Sequence, residues 1–157
     1  MVMRALVVVD SRFGNTEAVA HAIRDALPPT RWRVEIIPAA DVDWPDCSDL
    51  DLVLFGGPTQ RHGLSPAMNA LLSGAHVGRC CGLAAAAFDT RYHMAKILSG
   101  SAAETIARRL EGLGCRLVGP AESFYVAGRE GPLLDGELER ARAWALDVAA
   151  RVETIPA

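Results

Sequence analysis

Several kinds of segment are absent from this chain, and each absence excludes a class of protein. No apolar run approaches the roughly 20 residues needed to span a bilayer, so no membrane span is expected. Charge of one sign is also missing. Lys and Arg number 16 against 19 Asp and Glu, a net charge of -3, which leaves no basic footprint for nucleic acid. The chain opens directly on a strand-like run, without a basic segment and cleavage site, so a cytoplasmic location is expected. None of the four cysteines, Cys47, Cys80, Cys81 and Cys115, pairs in a C-x-x-C spacing, and no histidine stands near them at ligand spacing. A zinc site is therefore not expected, and the four read as reduced thiols in or near the core. Neither the Walker pattern nor G-x-G-x-x-G occurs. There is no repeat, low-complexity tract or linker, so residues 1–157 read as one domain.

What the chain does contain is an alternation. Half of its residues are hydrophobic and 22% are charged, as in a folded protein with a proper core. Arg4 to Val9 is an apolar run without polar alternation, the mark of a strand covered on both faces. Ala18, Val19, Ala22, Ile23, Ala26 and Leu27 recur at helical spacing, and Pro28-Pro29 ends that helix. Arg33 to Ile37 alternates like a strand near an edge. The polar segment from Pro38 to Asp49 includes Trp44, and Leu50 to Phe55 forms a third strand. Ser65-Pro66 opens a helix with a serine cap and proline in the first position. Leu83 to Phe88 reads as a central strand of small side chains. Ser101 to Glu104 fits a capping box ahead of a helix that stops at Gly114. A fifth strand starts at Cys115, is interrupted at Pro120 and resumes at Ser123. A helix from Asp135 to Val152 closes the chain. Strands alternating with helices predict an α/β fold, a three-layer doubly wound structure on a parallel sheet.

Ligands in such sheets bind beyond the carboxyl ends of the strands. Three polar stretches fall there. After the first strand come Ser11, Arg12, Phe13, Gly14, Asn15 and Thr16. The unpaired N–H groups of a helix start favour an anion, and Ser11, Asn15 and Thr16 add donors while Gly14 allows close approach. An ordinary βα turn with a capping side chain is the competing reading. After the third strand come Pro58, Thr59, Gln60, Arg61, His62 and Gly63, and after the fourth Asp89, Thr90, Arg91, Tyr92 and His93. The convergence of three unusual loops on one edge is stronger evidence than any of them alone.

With these three loops in place, the chain resembles the short-chain flavodoxin family. Ser11 to Thr16 resembles its phosphate loop and Gly57-Pro58-Thr59 the start of its second flavin loop. Phe88-Asp89-Thr90-Arg91 resembles the third loop of one subgroup. The resemblance covers nearly the whole chain. It implies a five-stranded parallel sheet in the order 2-1-3-4-5 and a non-covalent FMN. The phosphate would lie on the first loop and the isoalloxazine ring between the second and third. It also implies electron transfer to a redox partner protein or to a small flat acceptor such as a quinone. The chain departs from the family at Phe13, where a hydroxyl residue is usual, and at Gln60 to His62, where a stacking aromatic often stands. Arg61 and Arg91 would favour a reduced, negatively charged flavin and so a higher potential than in carrier flavodoxins.

Individual residues keep two readings. Tyr92 could stack on the ring or cover the sheet edge. His62 could donate a proton or simply be solvated, and Arg12 could pair with the phosphate or be a plain surface residue. Asp89 reads as a turn residue bonded to its own loop. Trp144 reads as packing. Besides the redox function, a flavodoxin-like module that has lost FMN and serves as a binding or regulatory domain fits the same sequence. A nucleotide binder without either phosphate motif fits it less well.

Overall fold

The buried apolar runs become parallel strands, and the six strands of the described residues form one sheet. The computed structural model describes residues 1–42, 47–59, 63–92 and 101–154. Strands β1 (Met3–Val9), β2 (Trp32–Pro38), β3 (Leu52–Pro58) and β4 (Ala84–Tyr92) are followed by β5 (Arg116–Leu117) and β6 (Glu122–Val126). Their order is β2-β1-β3-β4-β5, with β6 also on β4, and all the ladders are parallel. β5 pairs with Ala84 and Ala85, whereas β6 pairs with Phe88 to Tyr92. The fifth strand of the expected 2-1-3-4-5 order is therefore two short pieces along one long neighbour, with Pro120 in the gap between them.

Helices α1 (Asn15–Ala26), α2 (Pro66–Leu71), α3 (Ala102–Gly112) and α4 (Glu137–Glu153) cover the sheet. Alternation along the strands sends side chains to opposite faces. Val7, Leu54, Ala86 and Phe88 meet α1 and α4 on one face. Val8, Phe55, Ala85 and Ala87 meet α2 and α3 on the other. The alanines of β4 let helices close down on the middle of the sheet. Phe88, Phe124 and Trp144 lock edge to face, with centroids 5.9 to 6.3 Å apart. Trp144 is thus a packing residue, as expected. Trp44 lies outside the described residues. Among the described residues no helix is long and apolar enough to cross a membrane.

Two sequence expectations need correction. β3 does not stop at Phe55 but runs on through Gly56, Gly57 and Pro58, because β4 supplies partners out to Thr90. Gly56 is required there: a β-carbon would overlap the Phe88 ring of the neighbouring strand. The four cysteines are not all free thiols either. Cys47 and Cys80, 33 residues apart, are joined by a disulfide with their Cα atoms 5.5 Å apart. The spacing along the sequence carried no sign of this pairing.

Candidate functional site

A cleft of about 520 Å³ opens at the carboxyl-terminal edge of the sheet. It is lined by Ser11, Arg12, Phe13, Asn15 and Thr16 from the β1–α1 turn, Pro58 and Thr59 from the end of β3, and Thr90, Arg91 and Tyr92 from the end of β4. Val126 and Arg129, just after β6, complete it. The structure thus brings together ten of the residues singled out from sequence. Gln60, Arg61, His62 and His93 lie outside the described residues. Gly63 is described but does not line the cleft.

The β1–α1 turn is shaped by its own bonds. Gly14 adopts φ 88°, a left-handed conformation that side chains rarely tolerate, and caps α1. The Ser11 hydroxyl oxygen accepts from the backbone N–H of Gly14 at 3.2 Å and of Glu17 at 3.3 Å. Its own proton stays available to an oxyanion. Thr16 is buried and its hydroxyl shares a 2.8 Å bond with that of Thr90, which ties the first turn of α1 to β4. Phe13 is 41% exposed, with the Arg12 guanidinium 5.3 Å over its ring. This aromatic therefore stands at the mouth of the cleft.

The third polar stretch is not a loop. Asp89, Thr90, Arg91 and Tyr92 are the last four residues of β4, because β6 extends the ladder to Tyr92. Asp89, Thr90 and Arg91 are buried, at 0, 5 and 3% exposure. Asp89 does not bond its own turn, as the sequence suggested. Its Oδ2 accepts from the Thr59 hydroxyl at 2.9 Å, the Ser101 hydroxyl at 2.9 Å and the Ala103 N–H at 3.0 Å. The Ala102 N–H donates in turn to the Thr59 hydroxyl oxygen at 3.0 Å. This carboxylate joins the end of β3 to the N-terminus of α3, and it sits behind Thr59 rather than on the cleft wall. Arg91 lines the cleft, and its Nε–H donates to the Tyr92 carbonyl at 3.4 Å. Tyr92 lines the cleft and is 43% exposed.

Arg129 and Val126 were missed from sequence. The signal was present, since Gly128 to Pro132 also follows a strand at the same edge. The interruption at Pro120 hid that β6 belongs beside β4. The Asn15 amide donates to the Glu130 carbonyl at 3.1 Å and pins this loop to the first turn of α1. Behind it, Arg140 bonds Glu137, Glu122 and the Ser123 carbonyl. These bonds, the one to Glu137 first, hold its guanidinium above the usual range despite partial burial.

Among the described residues the lining therefore carries three arginines, Arg12, Arg91 and Arg129, and no carboxylate. In a chain of net charge -3 this is a local concentration of positive charge. A helix N-terminus, a serine with its proton to spare and three guanidiniums suit a phosphate, and the exposed rings of Phe13 and Tyr92 suit a flat aromatic group. These residues fit FMN.

Comparison with solved structures gives the fold its class. A flavodoxin from an archaeon superposes with a TM-score of 0.78 at 23% identity, over 96% of this chain and 99% of that one. A flavodoxin of Streptococcus pneumonia TIGR4 gives 0.78 at 19% identity, over 94% and 99%. The rubredoxin oxygen:oxidoreductase of Desulfovibrio gigas gives 0.69 at 16% identity, with 96% of this chain matching 36% of that one. The chain has the flavodoxin-like fold over nearly its whole length, in the short-chain form. No family model and no curated protein matches its sequence.

Proposed function

We propose that this protein is an FMN-binding redox protein of the short-chain flavodoxin type, passing electrons to a redox partner protein or a flat acceptor such as a quinone. The observation that carries the reading is the cleft at the carboxyl edge, where the described residues set the β1–α1 turn and three arginines around it without a carboxylate. Bound FMN would supply the one- and two-electron chemistry. Ser11, Asn15, Thr16 and the N–H groups around Gly14 would hold the phosphate, with Arg12 and Arg129 balancing its charge. Thr59, Thr90 and the backbone at Pro58 would meet the ring edge. Arg91 would place a positive charge near the ring, worth on the order of 1 kcal/mol in partly wet surroundings, and raise the reduction potential. Gln60, Arg61, His62, Gly63, Asp89 and His93 complete the set proposed from the family resemblance, with Asp89 acting through Thr59.

Titration of the purified protein with FMN tests this reading. Quenching of flavin fluorescence with micromolar affinity is expected, and its absence would remove the proposal. A redox titration is expected to show one two-electron wave at a potential above that of carrier flavodoxins. Two well-separated one-electron steps, the second very low, would overturn the raised potential. Reduction of a quinone driven by NADH or NADPH would separate an enzyme from a passive carrier. The exposed aromatic at Phe13 supports a second reading, a binding or regulatory module that no longer takes FMN.

A further inference from the structure

The four cysteines, spread between residues 47 and 115, all come to the amino-terminal edge of the sheet, just ahead of β3, β4 and β5. Cys47 and Cys80 are the disulfide. Cys81 and Cys115 are free thiols, the first exposed and the second buried against the α2–α3 side of the core. The segments that carry them lie side by side. A β-carbon placed on Gly114, the residue before Cys115, would lie 3.6 Å from the Cys81 sulfur. The Gly82 N–H donates to the Gly114 carbonyl at 2.8 Å and holds the two segments together. Among the described residues no cluster could hold a metal ion, so these sulfurs are not explained as ligands.

We propose that Cys81 and Cys115 form a separate thiol redox site, a dithiol that exchanges with low-molecular-weight disulfides. Cys81 is the entry thiol because solvent reaches it, and Cys115 is the resolving thiol because it is buried in the adjoining segment. Cys81 gives up its proton and attacks one sulfur of the small disulfide. A bond forms between the Cys81 sulfur and that sulfur, the small molecule's own S–S bond breaks, and the departing thiolate takes up the proton. Cys115 then loses its proton and attacks the Cys81 sulfur. The Cys81–Cys115 bond forms, the mixed disulfide breaks, and the second small thiolate leaves with that proton. One small disulfide is reduced to two thiols and two cysteines are oxidised to one disulfide, so no other oxidant is needed.

The surroundings of Cys115 order these two steps. Burial pushes its thiol up, and the charge of Cys81 beside it pushes the same way. Capping Cys81 as a neutral mixed disulfide removes the second of these causes. The first step thereby makes the second easier. The cleft lies at the opposite edge of the sheet, so this site stands whether or not the protein takes FMN.

The test uses the purified full chain and oxidised glutathione, at mildly alkaline pH without reductant. Both free thiols are expected to disappear, and the intact mass is expected to show loss of two hydrogens with no glutathione retained. Cys115→Ser is expected to stop at a stable glutathione adduct, and Cys81→Ser to leave Cys115 unreacted over the same period. Peptide mapping of the oxidised wild-type chain should link the peptide of Cys80 and Cys81 to both Cys47 and Cys115. A wild-type protein that keeps glutathione on Cys81 while Cys115 still alkylates would overturn the proposal. So would one that loses no thiol, or one in which Cys81 bonds to Cys47.

Discussion

At the carboxyl-terminal edge of the sheet, segments are joined by buried polar side chains: Thr16 to Thr90, and Asp89 to Thr59, Ser101 and Ala103. At the amino-terminal edge, they are joined by a disulfide, by backbone bonds such as Gly82 to Gly114, and by bonds to the Asp51 and Glu153 carboxylates from the Arg4 N–H and the Trp32 indole. The first kind of join places hydroxyls and charges beside a cleft and leaves some donors facing it. The second adds polar side chains that lie mostly at the surface, as in the Arg4–Asp49 and Arg31–Glu153 ion pairs. A parallel sheet points its backbone N–H and C=O groups along the ladders, so what an edge can bind depends on the side chains that follow the strands. The two edges of one sheet therefore differ in how much polar side chain they bury.

Breaking β4 should damage both edges at once, because it is the strand they share. Phe88→Ala, at a fully buried ring packed on Phe124 and Trp144, is expected to cost about 3–5 kcal/mol in urea unfolding. It should also abolish flavin binding. A smaller effect confined to one edge should come from the disulfide. The double variant Cys47→Ser, Cys80→Ser is expected to lose about 3–4 kcal/mol on the chain-entropy account of a loop this long. Its FMN affinity should stay unchanged, and a matching loss of affinity would show that the edges are coupled.

Asp89→Ala tests the other edge. It leaves two hydroxyls and one N–H without their acceptor, so about 1–3 kcal/mol of stability is expected to go. Here FMN affinity should fall, since Thr59 loses its anchor. Asp89→Asn keeps one oxygen as acceptor and should lose less of both.

The smallest expected effect is on pH dependence. The Cys115 thiol is raised in the folded chain above its ordinary value of 9.0. The unfolded chain then releases this proton at a lower pH than the folded one does. The contribution to stability is fully present below about pH 9 and is lost as pH rises through the folded value. Thermal melts between pH 8 and 10.5 should show this decline in the wild-type chain, and Cys115→Ser should flatten it.

Much of this was legible in the sequence. Periodicity located the strands and helices, because a strand buried on both faces and a helix buried on one leave distinct patterns. The turn from Ser11 to Thr16 was legible because its glycine and hydroxyls follow a buried apolar run and precede a helical repeat. The polar run from Asp89 to Tyr92 misled, since polarity there marked buried hydrogen bonding rather than a loop. The Gly128 to Pro132 loop was visible but unplaced, because Pro120 broke the strand that leads to it.

By itself the sequence determined the order of elements, the parallel α/β class and the edge at which the polar stretches after the strands gather, all of which follow from local pattern and the handedness of crossovers. Tertiary structure alone decided which distant side chains meet. Asp89 reaches Thr59 across 30 residues, Cys47 reaches Cys80 across 33, and Arg129 joins Arg12 at one cleft. Such meetings are set by how strands pair and helices close over them, and chain spacing holds no record of either.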